Sequence, residues 1–110
     1  MDLNNESIER YSRNIILPEI GGKGQSKLLK SRVLVIGAGG LGSPLLMYLA
    51  SSGIGNITII DHDKVELSNL QRQIIHNTET ITKPKVVSAK NFLLKLNPNI
   101  NIISDFKKIN

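Results

Sequence analysis

The sequence has no cysteine and no tryptophan, and its aromatic residues are only Tyr11, Tyr48, Phe92 and Phe106. Without thiols these 110 residues hold no disulfide framework, no cysteine nucleophile and no thiolate zinc site. The sparse aromatics are not interleaved with the basic residues, so the stacking platform used to bind single-stranded nucleic acid is missing and no nucleic-acid partner is expected. No apolar run approaches the roughly 18 residues needed to span a bilayer, and Met1 to Arg13 is too polar for a secretory signal. The expectation is a protein without a membrane partner, located in the cytoplasm. Heavy use of Ile, Asn and Lys, whose codons are A/T-rich, points to an AT-rich bacterial or organellar genome and makes a plastid the alternative location. Repeats, low-complexity segments and linkers are also missing, so 1–110 reads as one continuous unit.

The residues that are present have a globular balance, 40% apolar with a net charge of +5. The basic excess favours anionic partners. Because the charges are scattered along the chain, the phosphates of a small ligand suit them better than a polyanion. A chain this short buries only a modest core.

Hydrophobic spacing predicts a group of helices over 1–31 and a βαβαβ unit over 32–103. Ile8 and Tyr11 share one face of a short helix near 5–11, Pro18 interrupts the chain, and Gly21, Gly22 and Gly24 are expected to form a loop. Gln25 to Lys30 follows as a helix with Leu28 and Leu29 as its apolar contacts. Arg32 to Ile36 reads as a buried strand from its β-branched content. Ser43 and Pro44 suit a helical first turn, Leu45, Leu46, Leu49 and Ala50 recur at helical spacing, and Gly53 and Gly55 end that helix. Asn56 to Ile60 is the second strand. Pro84 opens a helix lined by Val86, Ala89, Leu93 and Leu96, and Ile100, Ile102 and Ile103 mark the third strand, with no further core pattern from Ser104 onward. The alternation implies a Rossmann-like α/β fold with a parallel sheet, of the size of one half of a doubly wound domain.

The chemistry gathers around GAGGLG, Gly37 to Gly42, placed between the first strand and its helix. Gly37 permits a tight turn, Gly39 a close backbone approach to phosphate, and Gly42 close packing of the helix. Asp61 ends the second strand roughly 20 residues on, where such folds set an acid against ribose hydroxyls. These features leave NAD, FAD, S-adenosylmethionine and ATP all open. Asn69, Arg72 and Lys85 add donors near the carboxyl edge of the sheet, a supply suited to a triphosphate. His62 and His76 have no metal-ligand partner at helical spacing and read as loop or surface residues. Asp63 and Glu66 read as loop acids rather than magnesium ligands, so no metal site is expected here.

RYSRNIILPEIGGKGQ (10–25), SRVLVIGAGGLGS (31–43), DHDKVELSNLQRQIIH (61–76) and KPKVVSA (83–89), in that order, resemble the ThiF, MoeB and HesA family, relatives of ubiquitin-activating enzymes. The resemblance implies ATP-dependent adenylylation of the C-terminal glycine of a small ubiquitin-like sulfur carrier protein in thiamine or molybdenum-cofactor synthesis. It places Gly40 in the nucleotide loop, Asp61 on the ribose, and Asn69, Arg72 and Lys85 on the phosphates and transition state. Ser68, Leu70 and Gln71 fall in the same nucleotide-contacting segment. Arg13 matches an arginine that reaches the triphosphate from the partner subunit of a homodimer. Magnesium accompanies ATP in the family, and its main aspartate ligand, the zinc cysteines and the surface for the carrier tail all fall in a second half not represented in these 110 residues. The chain is therefore expected to be an N-terminal portion, inactive in isolation. An NAD-dependent oxidoreductase and a noncatalytic nucleotide- or partner-binding fragment are the rival readings.

Overall fold

The computed structural model describes residues 4–39, 42–71, 73 and 75–108. Three parallel strands, β1 (Arg32–Ile36), β2 (Asn56–Asp61) and β3 (Asn101–Phe106), lie side by side in chain order. Helices α4 (Gly42–Ser52) and α5 (Lys85–Leu96) make the crossovers, preceded by α1 (Asn5–Arg10), α2 (Ser12–Ile15) and α3 (Gly21–Lys30). Two crossovers of the same hand that step in one direction put both helices on one face of the sheet. On that face Val35, Ile57, Ile59 and Ile102 pack with Leu46 and Ala50 of α4 and with Val86, Ala89 and Leu93 of α5.

That arrangement corrects the expectation of a fully buried first strand. In β1 only Val35 is buried, whereas Leu34 (56% exposed) and Ile36 (63%) lie on the opposite face with Ile103 (62%), uncovered by any described element. An apolar strand composition reports that burial is available but not which layers supply it. Leu45 and Leu96, expected on apolar helix faces, are likewise exposed. The third strand runs on through Phe106 rather than ending near Ile103, because backbone pairing with β2 continues from Asn56↔Asn101 to Asp61↔Phe106.

The glycines expected in a loop lie instead within α3. Gly21 takes φ +59°, and Gly24 donates its N–H to the Ile20 carbonyl at 2.9 Å, so the helix starts four residues earlier than Gln25. Tertiary packing overrides low propensity here. Buried Gln25 donates to the Ser52 carbonyl (3.0 Å) and accepts from Asn14 (3.1 Å), fastening α3 and α2 to the end of α4. In α1 Ile8 is exposed while Tyr11, its C-cap, is buried, so the expected shared face is not formed.

Tyr11 and Asn97 hold the N-terminal helices to the βαβαβ frame. The Asn97 amide donates to the Tyr11 hydroxyl at 2.7 Å and to the Ala50 carbonyl at 2.8 Å, with no solvent exposure. Asn97→Ala would strand two buried acceptors and is expected to destabilise the fold by about 2–3 kcal/mol, read as a lower urea midpoint.

Candidate nucleotide site

The site lies at the carboxyl ends of β1 and β2, where open parallel sheets bind ligands. Gly37 leaves β1 at φ +102°, a conformation that disfavours side chains, after donating its N–H to the Ile60 carbonyl at 2.8 Å. The next amide, that of Ala38, donates to Asp61 Oδ2 at 2.8 Å. Asp61 Oδ1 accepts from the Asp63 N–H at 3.0 Å, so one carboxylate fastens the glycine turn to the loop leaving β2. α4 starts directly on the turn, with the Ser43 N–H donating to the Gly39 carbonyl at 2.8 Å. A side chain at Gly42 would overlap the Gly37 carbonyl oxygen, which explains why glycine is needed there.

The loop after β2 is folded back onto the start of α5. Val65 donates to the Lys83 carbonyl and Thr82 to the Val65 carbonyl, both at 2.8 Å, and Lys85 donates its N–H to the Asp63 carbonyl at 2.9 Å. Thr82 sits at φ +75°, a strained setting for a β-branched residue. These bonds bring Lys85 Nζ to 4.0 Å from Asp63 Oδ2, and the lysine side chain is largely buried. A cavity of about 320 Å³ is thereby walled by Gly37, Gly39, Asp61, His62, Asp63, Lys85 and Lys107. A smaller one of about 160 Å³ continues past Asp63 and Lys85 to Lys64, Glu66 and Asn69.

Of the residues singled out in the sequence, Gly37, Gly39, Asp61, Asn69 and Lys85 line these two cavities, with Gly42 packed behind. Asn69 is buried, and its Oδ1 accepts from the Glu66 N–H at 2.9 Å within a short 3₁₀ turn, Leu67–Asn69. Ser68, in the middle of that turn, is exposed, and Leu70 and Gln71 follow it. Gly40 and Arg72 lie outside the described residues. Arg13 is not brought to the site within one chain. It shares a pocket with Ser51 and Ser52 at the far end of the 11-residue α4, about 16 Å from the glycine turn by helical rise.

His62 is exposed as expected, but His76 is not a surface residue. It lies in a loop yet is only 4% exposed, with Nδ1 2.7 Å from Ser88 Oγ and Nε2 2.8 Å from the Ala38 carbonyl. Burial holds its imidazole below the ordinary range, aided by the charge of Lys85 and opposed by the Ala38 bond and by Asp61. Sequence pattern missed this residue together with Ser88 and Gln73, whose buried Oε1 has no hydrogen-bond partner. The available signal was its attachment to Ile75, which is buried in the core.

A βαβαβ frame with a glycine turn, a strand-end acid and a buried lysine on one cavity is the arrangement of a Rossmann-like α/β domain. Residues 11–110 match the ThiF family, and the chain belongs to it. It is 55% identical over 100 residues to the adenylyltransferase and sulfurtransferase MOCS3 of Anopheles gambiae, covering 91% of this chain and 23% of that protein. It is 47% identical over 102 residues to the SAMP-activating enzyme E1 of Haloferax volcanii, covering 93% of this chain and 38% of that one. The fold superposes on a crystal structure of E. coli MccB with ATP at a TM-score of 0.84 and 35% identity, over 97% of this chain and 33% of MccB. The chain thus spans well under half the length of each of these three proteins. Among the described residues no helix is long and apolar enough to cross a membrane.

Proposed function

We propose that this chain supplies the nucleotide site of an adenylyltransferase that activates a small ubiquitin-like sulfur carrier protein of thiamine or molybdenum-cofactor synthesis. The observation that carries this reading is the convergence of the glycine turn, Asp61 and Lys85 on one cavity in a ThiF-family chain. The names of its relatives support the reaction class, and the ATP complex of MccB supports the nucleotide. A carboxylate oxygen of the carrier's C-terminal glycine attacks the α-phosphorus of ATP. The bond from that phosphorus to the bridging oxygen breaks, and pyrophosphate leaves with the electron pair. Gly39 of the turn and the N-terminal end of α4 would lie against the phosphates. Asp61 keeps lone pairs free beyond its two backbone bonds and accepts from the ribose hydroxyls. Lys85, with Arg72 and Asn69, opposes the charge that grows on the leaving group.

Arg13 acts in trans from the second subunit of a homodimer in this reading, consistent with its distance from its own glycine turn. Magnesium would accompany the triphosphate. Asp61, His62 and Asp63 bring one ligand atom each within 4.8 Å of one another, but one of the three is a histidine nitrogen, where magnesium takes oxygen ligands, and the Lys85 ammonium lies 4.0 Å from Asp63. These residues do not fit a resident magnesium centre, and a chain without cysteine does not fit the zinc site. In this reading the ligands of both groups would come from residues outside these 110.

The natural protein should exchange labelled pyrophosphate into ATP only when a carrier with a free C-terminal glycine is present, and NAD should not compete. Exchange without the carrier, or preference for NAD over ATP, would refute this function.

A further inference from the structure

We propose that His76 is a positioning residue of the nucleotide site, whose two ring nitrogens tie the glycine turn to α5. The inference rests on the ATP-site reading above and names what holds that site in shape. The Ala38 carbonyl can only accept, so Nε2 carries the proton, and the neutral ring then accepts at Nδ1 from the Ser88 hydroxyl. At one end of this bridge Ala38 is held through both of its backbone polar groups, the N–H by Asp61 and the carbonyl by His76 at 2.8 Å and, more weakly, by the Ser43 hydroxyl at 3.4 Å. At the other end Ser88 lies three residues after Lys85, on the same side of α5 one turn along. The glycine turn, the ribose acid and the buried lysine come from three separate elements, and His76 is the side chain that joins the first to the third. Buried beneath the turn, it is a spacer of fixed length and not a phosphate ligand.

The neutral ring is required, and the charged groups facing it oppose each other: Lys85 of α5 disfavours protonation and Asp61 of β2 favours it, with burial tipping the balance to neutral. Because the folded-state pKa is depressed, the bridge contributes fully above the unfolded imidazole value of about 6.5 and is lost as pH falls from there through the folded value.

ATP affinity of the natural protein and its variants, measured by calorimetry from about pH 5.5 to 8, tests this. His76→Gln places an amide N–H within reach of Ala38. It should stay within about threefold of wild type near neutrality and lose the fall in affinity on acidification. His76→Phe fills the space without a donor and should weaken ATP by roughly tenfold or more while its circular dichroism stays native. Amide exchange at Ala38, which needs no nucleotide, should quicken in His76→Phe and not in His76→Gln. A folded His76→Phe with wild-type affinity and exchange, or equal losses in both variants with unchanged acid profiles, would overturn the proposal. If His76→Phe does not fold, Ser88→Ala removes only the Nδ1 partner, and its wild-type affinity and exchange would overturn it equally. A wild-type protein that does not bind ATP sinks the ATP reading instead, and the exchange data still decide the role of His76.

Discussion

Gly42→Ala should weaken ATP binding by more than about 100-fold, because the new methyl group and the phosphate turn need the same space. Built on the backbone, that Cβ would overlap the Gly37 carbonyl oxygen and lie 3.0 Å from its carbon. Neither neighbour yields easily. Gly37 is already committed to φ +102° and to its bond with Ile60, while α4 is anchored in the core through Leu46 and Ala50. Relief of the overlap requires the first turn of α4 to move off the Gly37 carbonyl, which deforms the wall that the phosphates would meet. Overpacking of this kind also costs about 1–3 kcal/mol of stability, so affinity is to be measured where the variant remains folded. Gly39→Ala separates the two causes. Its Cβ would meet the Gln73 side chain at an ordinary 3.5 Å, so stability should hold while the methyl group intrudes on the ligand. Near-wild-type ATP affinity in Gly42→Ala would disprove the assignment of the turn.

Lys85→Gln should lower carrier-dependent pyrophosphate exchange by about 10²–10³ while changing ATP affinity far less. The Lys85 side chain is 8% exposed and its ammonium lies 4.0 Å from a half-exposed Asp63 carboxylate, a loose pairing that leaves its field directed into both cavities. Such a charge acts most strongly where negative charge develops, on the departing pyrophosphate, and less on bound ATP. Lys85→Arg keeps the charge but needs more room in a buried slot, so only partial recovery is expected. A loss confined to KM, with kcat intact, would make Lys85 a simple binding residue.

The parts of this fold that could be read from the chain are those fixed by local chemistry. β1 and β2 announce themselves as short β-branched runs, Pro84 marks the start of α5, and the glycine turn and Asp61 sit at the separation a strand, turn, helix and strand impose. The tight turn follows from those residues, whereas the bond from the Ala38 amide to Asp61 comes from the structure. What could not be read depends on partners distant in the chain. Nothing near Gly21 to Gly24 indicates that Gln25 will be buried against Ser52, so the glycines read as a loop although packing makes them helix. Leu34 and Ile36 carry no mark of which face of the sheet α4 and α5 will cover. His76 has no periodic partner, since its contacts, Ala38 and Ser88, come from elements 38 and 12 residues away.

The bond between Tyr11 and Asn97 spans 86 residues, and Glu6 meets Asn99 across 93. Closing a loop of that size carries an entropic cost of about 4 kcal/mol before its constant contribution, more than the small α1 contacts return alone. α1 is therefore expected to dock after the βαβαβ frame has formed, whereas α2 and α3 can meet the end of α4 through Asn14, Gln25 and Ser52 at shorter separations. On a ribosome adding roughly 5–20 residues per second, Tyr11 waits about 4–17 s for its partner to be made. For that interval Tyr11 has the Ser52–Gly53 end of α4 to pack against but lacks the Asn97 amide that its hydroxyl accepts from.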